Sequence, residues 1–179
     1  MEDTRIAAVV SNSPVGHTRD NLDRMVKWIR AARDREVTLI CFPELNITGY
    51  SHHPDITRHA QKIPGPITDE LAQLARNVGI TILAGMVEKD DQGRLFASHL
   101  VLKPEGEIGV YRKLHTSPPE CDIYTPGDQI PLFEVSGAKF GIQLCYDAHF
   151  PELSTVMAIN GVDIIFIPHA SPRGTASIK

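Results

Sequence analysis

Two hydrophobic periods alternate along this chain, and that alternation narrows the folds open to it. Short runs that are apolar at nearly every position, Arg5 to Val10, Val37 to Phe42, Ile80 to Val87 and Asp163 to Pro168, read as strands buried on both faces. Between them lie segments with a single apolar helical face. In Thr18 to Arg35, Leu22, Val26, Ile29 and Arg33 share one face, with Met25 and Ala32 beside them. After the turn Pro64-Gly65-Pro66, Thr68 is placed to cap a second helix, in which Leu71, Leu74, Ala75 and Val78 recur at helical spacing before Gly79 stops it. Pro151 suits the first position of a third helix carrying Leu153, Val156 and Met157, ended by Gly161.

Strands buried on both faces need cover on both sides. Leu95 to Leu102 follows the turn Asp90-Asp91-Gln92-Gly93 as the antiparallel neighbour of Ile80 to Val87, and a short strand to Tyr111 follows Pro104-Glu105-Gly106. Phe133 to Val135 and Lys139 to Leu144 form another hairpin, closed at Ser136-Gly137. The fold class is therefore α+β (α/β), with sheet packed on sheet and helices over the outer faces. The polar, Pro- and Gly-rich stretch from Lys113 to Ile130 is long enough to suggest a functional loop. No repeat or linker interrupts the chain, and 179 residues suffice for a two-sided core, so a single domain spanning 1–179 is expected.

Composition serves mainly to exclude. With 42% hydrophobic and 22% charged residues the chain matches a globular protein, and a net charge of -4 offers no basic stripe for nucleic acid. Met1-Glu2-Asp3-Thr4-Arg5 lacks the basic start of a signal peptide, and no apolar run approaches the roughly 20 residues that span a bilayer. A cytoplasmic protein without nucleic-acid or membrane partners is expected.

Cys41, Cys121 and Cys145 are too widely spaced for a zinc ribbon or a redox pair. Cys41, within Leu39-Ile40-Cys41-Phe42, reads as a small buried apolar residue, and Cys121 is uninformative. Cys145 follows the strand-like Phe140 to Leu144 and precedes a helix, where free N–H groups favour a thiolate, although an isolated cysteine is more often core. Glu44 stands at the exit of a buried strand, where partial desolvation raises a carboxylate's pKa and suits it to act as a base. Charged residues at strand exits are usually just solvated. Lys113 occupies the same kind of position, and its neighbour Arg112 is equally basic, so these arguments do not choose between them.

Phe42-Pro43-Glu44 with Thr48-Gly49-Tyr50, then Tyr111-Arg112-Lys113-Leu114-His115, then Cys145-Tyr146-Asp147-Ala148-His149-Phe150-Pro151-Glu152 resemble, in order and spacing, the nitrilase or carbon-nitrogen hydrolase superfamily. The resemblance runs from about residue 5 to the end of the chain. It implies a four-layer α-β-β-α sandwich and a Glu-Lys-Cys triad, with Glu44 as base, Lys113 as the cation steadying the tetrahedral intermediate and Cys145 as nucleophile. It selects Lys113 over Arg112. Glu120 corresponds to a second glutamate that orients substrate and lysine, and Tyr146 supplies a backbone N–H to the oxyanion. Tyr50, His149 and His169 become pocket residues, with His115 and Arg173 near them. No cofactor and no metal is implied; Asp147 and His149 lack a third ligand at suitable spacing.

The implied activity is hydrolysis of a non-peptide carbon-nitrogen bond, in a linear amide, an N-carbamoyl compound or a nitrile, through a cysteine thioester. The partners are then a small amide or nitrile and water. The implied assembly is a homodimer or higher homo-oligomer if the fold is complete. Two departures stand out. Many relatives have arginine where this chain has His149, and they continue beyond the position of Lys179, so the C-terminal part of the fold is expected to be missing. A catalytically silent fragment or binding module of the same fold is the alternative. A redox-sensing Cys145 ranks last, because no resolving cysteine is evident.

Overall fold

The computed structural model describes residues 4–170. Two sheets face each other. The first runs in the order β1 (Ile6–Ala8), β2 (Leu39–Cys41), β3 (Thr81–Lys89), β4 (Leu95–Leu102), β5 (Ile108–Arg112), parallel from β1 to β3 and antiparallel from β3 to β5. The second has β6 (Phe133–Val135) antiparallel to β7 (Ala138–Ile142), which is parallel to β8 (Ile164–Phe166). The expected meander and mixed sheet are both present.

Strand alternation sorts the core into layers. Ile40, Ile82, Ala84, Met86, Leu100 and Leu102 point outward, where α1 (Thr18–Arg33) and α2 (Pro66–Val78) cover them with Leu22, Met25, Ile29, Leu71 and Ala75. Leu39, Leu83, Val101 and Tyr111 point inward and meet Phe133, Phe140, Ile142 and Phe166 from the second sheet. On that sheet's far side lies α3 (Pro151–Ile159). A Cβ built on Gly141 would come within 2.6 Å of Met157 Sδ, so glycine there lets helix and sheet approach closely. The four-layer α-β-β-α arrangement follows. Among the described residues no helix is long and apolar enough to cross a membrane.

Boundaries moved for identifiable reasons. The buried side of α1 is centred on Met25 and Ala32, with Arg33 exposed, because the helix turns its Asn21–Leu22 edge inward. Asn21 Nδ2 there donates to Pro14 O and Ile47 O, both at 3.0 Å. The second helix begins at Pro66, two residues before Thr68. Thr68 caps it from inside, its hydroxyl accepting the Gly65 N–H at 2.7 Å. Two short 3₁₀ helices, Pro54–His59 and Pro118–Glu120, lie where only loop was expected.

Phe140 has no exposed surface and packs on Phe133 and Phe166, at ring centroid distances of 5.5 and 5.4 Å. Phe140→Ala should therefore cost about 3–5 kcal/mol, read as a lower denaturant midpoint at unchanged slope.

Candidate active site

Glu44 reaches the interior because the chain leaving β2 does not leave the sheet. Phe42 N donates to Leu83 O and Ile47 N to Gly85 O, each at 2.9 Å, while Gly85 N donates to Asn46 Oδ1 at 2.8 Å and Val87 N to Thr48 Oγ1 at 3.1 Å. The 42–48 segment thus continues the pairing along β3, and Glu44 is only 2% exposed. Leu45 sits at φ +51, an uncommon conformation for a non-glycine residue.

Lys113 and Arg112 are distinguished by the pleat. Adjacent strand residues point to opposite faces. Arg112 turns outward, where its Nε and Nη2 bind the Glu88 carboxylate at 2.8 and 2.5 Å over the Phe96 ring. Lys113 turns inward, 1% exposed, and its Nζ lies 2.8 Å from Glu44 Oε1 and 2.9 Å from Glu120 Oε2. Glu120 is presented by the short 3₁₀ helix, whose Ser117 N–H donates to its carboxylate at 2.7 Å. None of the three is solvated, so burial overturns the expectation that applies to each residue singly.

The environment divides the two carboxylates. Burial raises the pKa of both, but Ser117 N–H and Lys113 outweigh it at Glu120 and hold that group below the ordinary carboxylate value. At Glu44 burial prevails over Lys113 and the pKa stays raised. Burial works against the Lys113 ammonium, yet Glu44 and Glu120 more than reverse this and raise its pKa. The cluster thus sets two carboxylates on one ammonium, with Glu44 shifted up and Glu120 shifted down.

Cys145 opens the 3₁₀ helix Cys145–His149 at φ +46, its N–H donating to Pro168 O at 3.0 Å. Such a conformation costs about 1–3 kcal/mol and persists only where its surroundings impose it. The expected thiolate-favouring site is not what is found. Burial first, then Glu44, pushes the Cys145 thiol up, and Lys113 only partly opposes them, which favours the thiol over the thiolate. Ala170 N–H donates to Glu44 Oε2 at 3.1 Å and also favours the Cys145 thiolate, which ties the two groups together. The Tyr146 N–H has no backbone acceptor among the described residues.

A network that sequence reasoning missed joins the lysine strand to the cysteine turn. The fully buried Asp147 accepts from Tyr111 OH at 2.7 Å, His115 N at 2.8 Å and Leu144 N at 3.0 Å, with His115 Nδ1 3.0 Å away. An aspartate two residues into a turn commonly binds local N–H groups, and that was the available signal. Asp147 is buried while His149 is exposed beside the Tyr146 ring.

A cleft of about 730 Å³ opens between β1 and β8, with Val9, Val15, Phe42, Ile165 and Ile167 among its walls and Glu44, Tyr50 and His169 as polar groups. Burial first and Glu120 second keep the Tyr50 hydroxyl protonated. His149 and His115 are not in its wall, nor are Lys113 and Cys145. His115 instead stacks on Phe150 at 3.7 Å. Arg173 lies outside the described residues. Cys41 is buried, its thiol pushed up to about 12 by burial, and Cys121 is exposed.

Removing the cation should expose the electrostatic tension. Lys113→Met leaves two buried carboxylates uncompensated and is expected to cost about 3–5 kcal/mol at neutral pH. In that variant the folded state binds protons more tightly than the unfolded one. Its deficit, measured by urea unfolding, should therefore shrink as pH is lowered from 8 to 5.

Comparison with known proteins places these features. The chain is 35% identical over 168 residues to a nitrilase from Pyrococcus abyssi, covering 92% of this chain and 64% of that protein. It is 31% identical over 163 residues to an omega-amidase from Xenopus laevis, covering 84% and 58%. The chain thus spans less than two thirds of either relative. An amidase structure from Nesterenkonia sp. superposes with a TM-score of 0.85 at 23% identity, over 98% of this chain and 68% of that one. The carbon-nitrogen hydrolase family matches residues 5–177, and the chain belongs to that family.

Proposed function

We propose that the chain hydrolyses a non-peptide carbon-nitrogen bond, with Cys145 as nucleophile, Glu44 as base and Lys113 as oxyanion cation. Linear amides are the first choice of substrate, with N-carbamoyl compounds and nitriles as close variants. The observation that carries this reading is Lys113 held between Glu44 and Glu120, with Ala170 N–H donating to Glu44 beside Cys145. The Nesterenkonia amidase supports the same chemistry. One structure of it holds butyramide, and another has the acetamide moiety of fluoroacetamide added covalently at its active-site cysteine.

Glu44 takes the Sγ proton as sulfur bonds to the carbonyl carbon, and charge moves onto oxygen. The Lys113 ammonium and the Tyr146 N–H receive that charge; losing one such donor typically costs about 2.7–4 kcal/mol of transition-state stabilisation. Protonated Glu44 then gives its proton to the departing nitrogen, the C–N bond breaks, and a thioester remains. Glu44 next deprotonates water, which attacks the thioester carbon and returns the thiol as the acid leaves. General acid-base work of this kind is worth about 10² to 10⁴ in rate. Glu120 keeps its charge throughout and fixes the lysine.

The test is ammonia release over amides, carbamoyl compounds and nitriles, beside Cys145→Ala and Glu44→Gln. Both variants should be inactive on the substrate that wild type cleaves. Activity should fall at low pH through a pKa above the ordinary carboxylate value, because Glu44 must be ionised to accept the thiol proton. Iodoacetamide should label Cys145 much faster than Cys41. Equal, slow labelling together with no ammonia release would favour a silent domain of the same fold.

A further inference from the structure

Two neighbouring basic residues, Arg112 and Lys113, stand between two anionic sites on opposite faces of the first sheet. On the inner face Glu44 and Glu120 hold the Lys113 ammonium. On the outer face the buried Glu88 carboxylate takes Arg112 Nε at 2.8 Å and Nη2 at 2.5 Å, and Ser98 Oγ donates to it at 2.6 Å. Charge does not decide which base goes where, because either cation would neutralise either site. Geometry does. Arg112 places two parallel bonds on both oxygens of one carboxylate, a match that a point-like ammonium cannot make. Lys113 Nζ instead meets oxygens of two separate carboxylates, which suits the diverging donors of an ammonium.

The strand that carries both residues needs such a selector. β5 is the last strand of the first sheet, and only Tyr111 of its five residues is buried. Burial therefore specifies its register weakly, and a slip of one residue would turn every side chain over. Arg112, opposite Ser98, is its last paired residue, and Lys113 follows with its N–H on Ala97 O at 2.9 Å. Tyr111 opposes the slip from the inner face through Asp147. Arg112 opposes it from the outer face, reaching from β5 across β4 to Glu88 on β3, with its guanidinium carbon 4.2 Å from the centroid of the Phe96 ring.

From this arrangement we infer that Glu88 is a positioning residue for Lys113: by capturing Arg112 on the outer face, it decides which of two neighbouring cations enters the site. The inference rests on the role of Lys113 proposed above. Setting register is the best-attested use of a buried ion pair, whose contribution to stability alone is small or unfavourable.

Three variants of the full chain test this. Glu88→Gln frees Arg112 to compete for the inner carboxylates, and Arg112→Met frees Glu88 to compete for Lys113. Combining the two removes both competitors. Labelling by acetic anhydride, read residue by residue by peptide mass spectrometry, reports the position of Lys113 without any turnover, with the exposed Lys27 as reference. Below their melting temperatures, each single variant should label Lys113 about tenfold faster than wild type, and kcat for ammonia release should fall about tenfold with KM little changed. The double variant should regain most of the protection and most of kcat. Lys113 as slow to label in both single variants as in wild type, or a double variant no better than the single ones, would overturn the inference. If neither single variant folds, the pair serves stability and the inference fails. If wild type releases no ammonia while labelling follows this order, the proposed reaction fails and the selection of Lys113 stands.

Discussion

A single ammonium buried between two carboxylates sets the terms for the rest of the structure. Taking such charges out of water costs several kcal/mol per ion, and one lysine neutralises only one glutamate. The excess negative charge has to be met locally. Ser117 N–H meets it at Glu120, whose pKa is lowered, whereas at Glu44 burial prevails over Lys113 and Ala170 N–H and the pKa stays raised. Two like residues on one cation are thereby shifted in opposite directions, Glu44 up by burial and Glu120 down by Ser117 N–H and Lys113.

Holding the cluster together requires the sheets to be locked in register. Lys113 comes from the first sheet and Cys145 from the end of the second, and the two have no covalent reason to stay aligned. Phe140, Phe133 and Phe166 set the sheet spacing, but apolar packing is non-directional. Direction comes from Asp147, whose carboxylate takes the Tyr111 hydroxyl and His115 N–H from one side and the Leu144 N–H from the other. The same bonds fix the turn that holds Cys145 at positive φ.

How much of this was legible in the sequence depends on the range of the interaction. Among the described residues, periodicity and turn signals located every strand and the three α-helices, because a strand buried on both faces and a one-faced helix are local patterns. The motif residues Glu44, Lys113 and Cys145 could be named, yet the physics of each residue alone favoured a solvated charge or a core thiol. Their burial is set by partners up to 126 positions apart, as between Ala170 and Glu44. The choice between Lys113 and Arg112 was open only because strand register was unknown; once β5 is placed, alternation decides it. The direction of the Cys145 shift was misjudged for a related reason. Free N–H groups at a turn are predictable, but the burial of Cys145 and the glutamates brought in from other strands and loops are not.

Among the described residues, two of the four non-glycine residues at positive φ, Leu45 and Cys145, lie in the segments that carry Glu44 and Cys145, together with the uneven ion cluster; the other two, Glu36 and Ser136, lie in turns away from it. A chain with only a few kcal/mol of net stability can sustain such a concentration of cost only where the surrounding layers are otherwise consistent. The fully buried β3 and β4, covered by helices on one side and the second sheet on the other, supply that support. The segment that carries Glu44 therefore runs along β3, where the sheet is least able to yield, and that rigidity holds its carboxylate on Lys113.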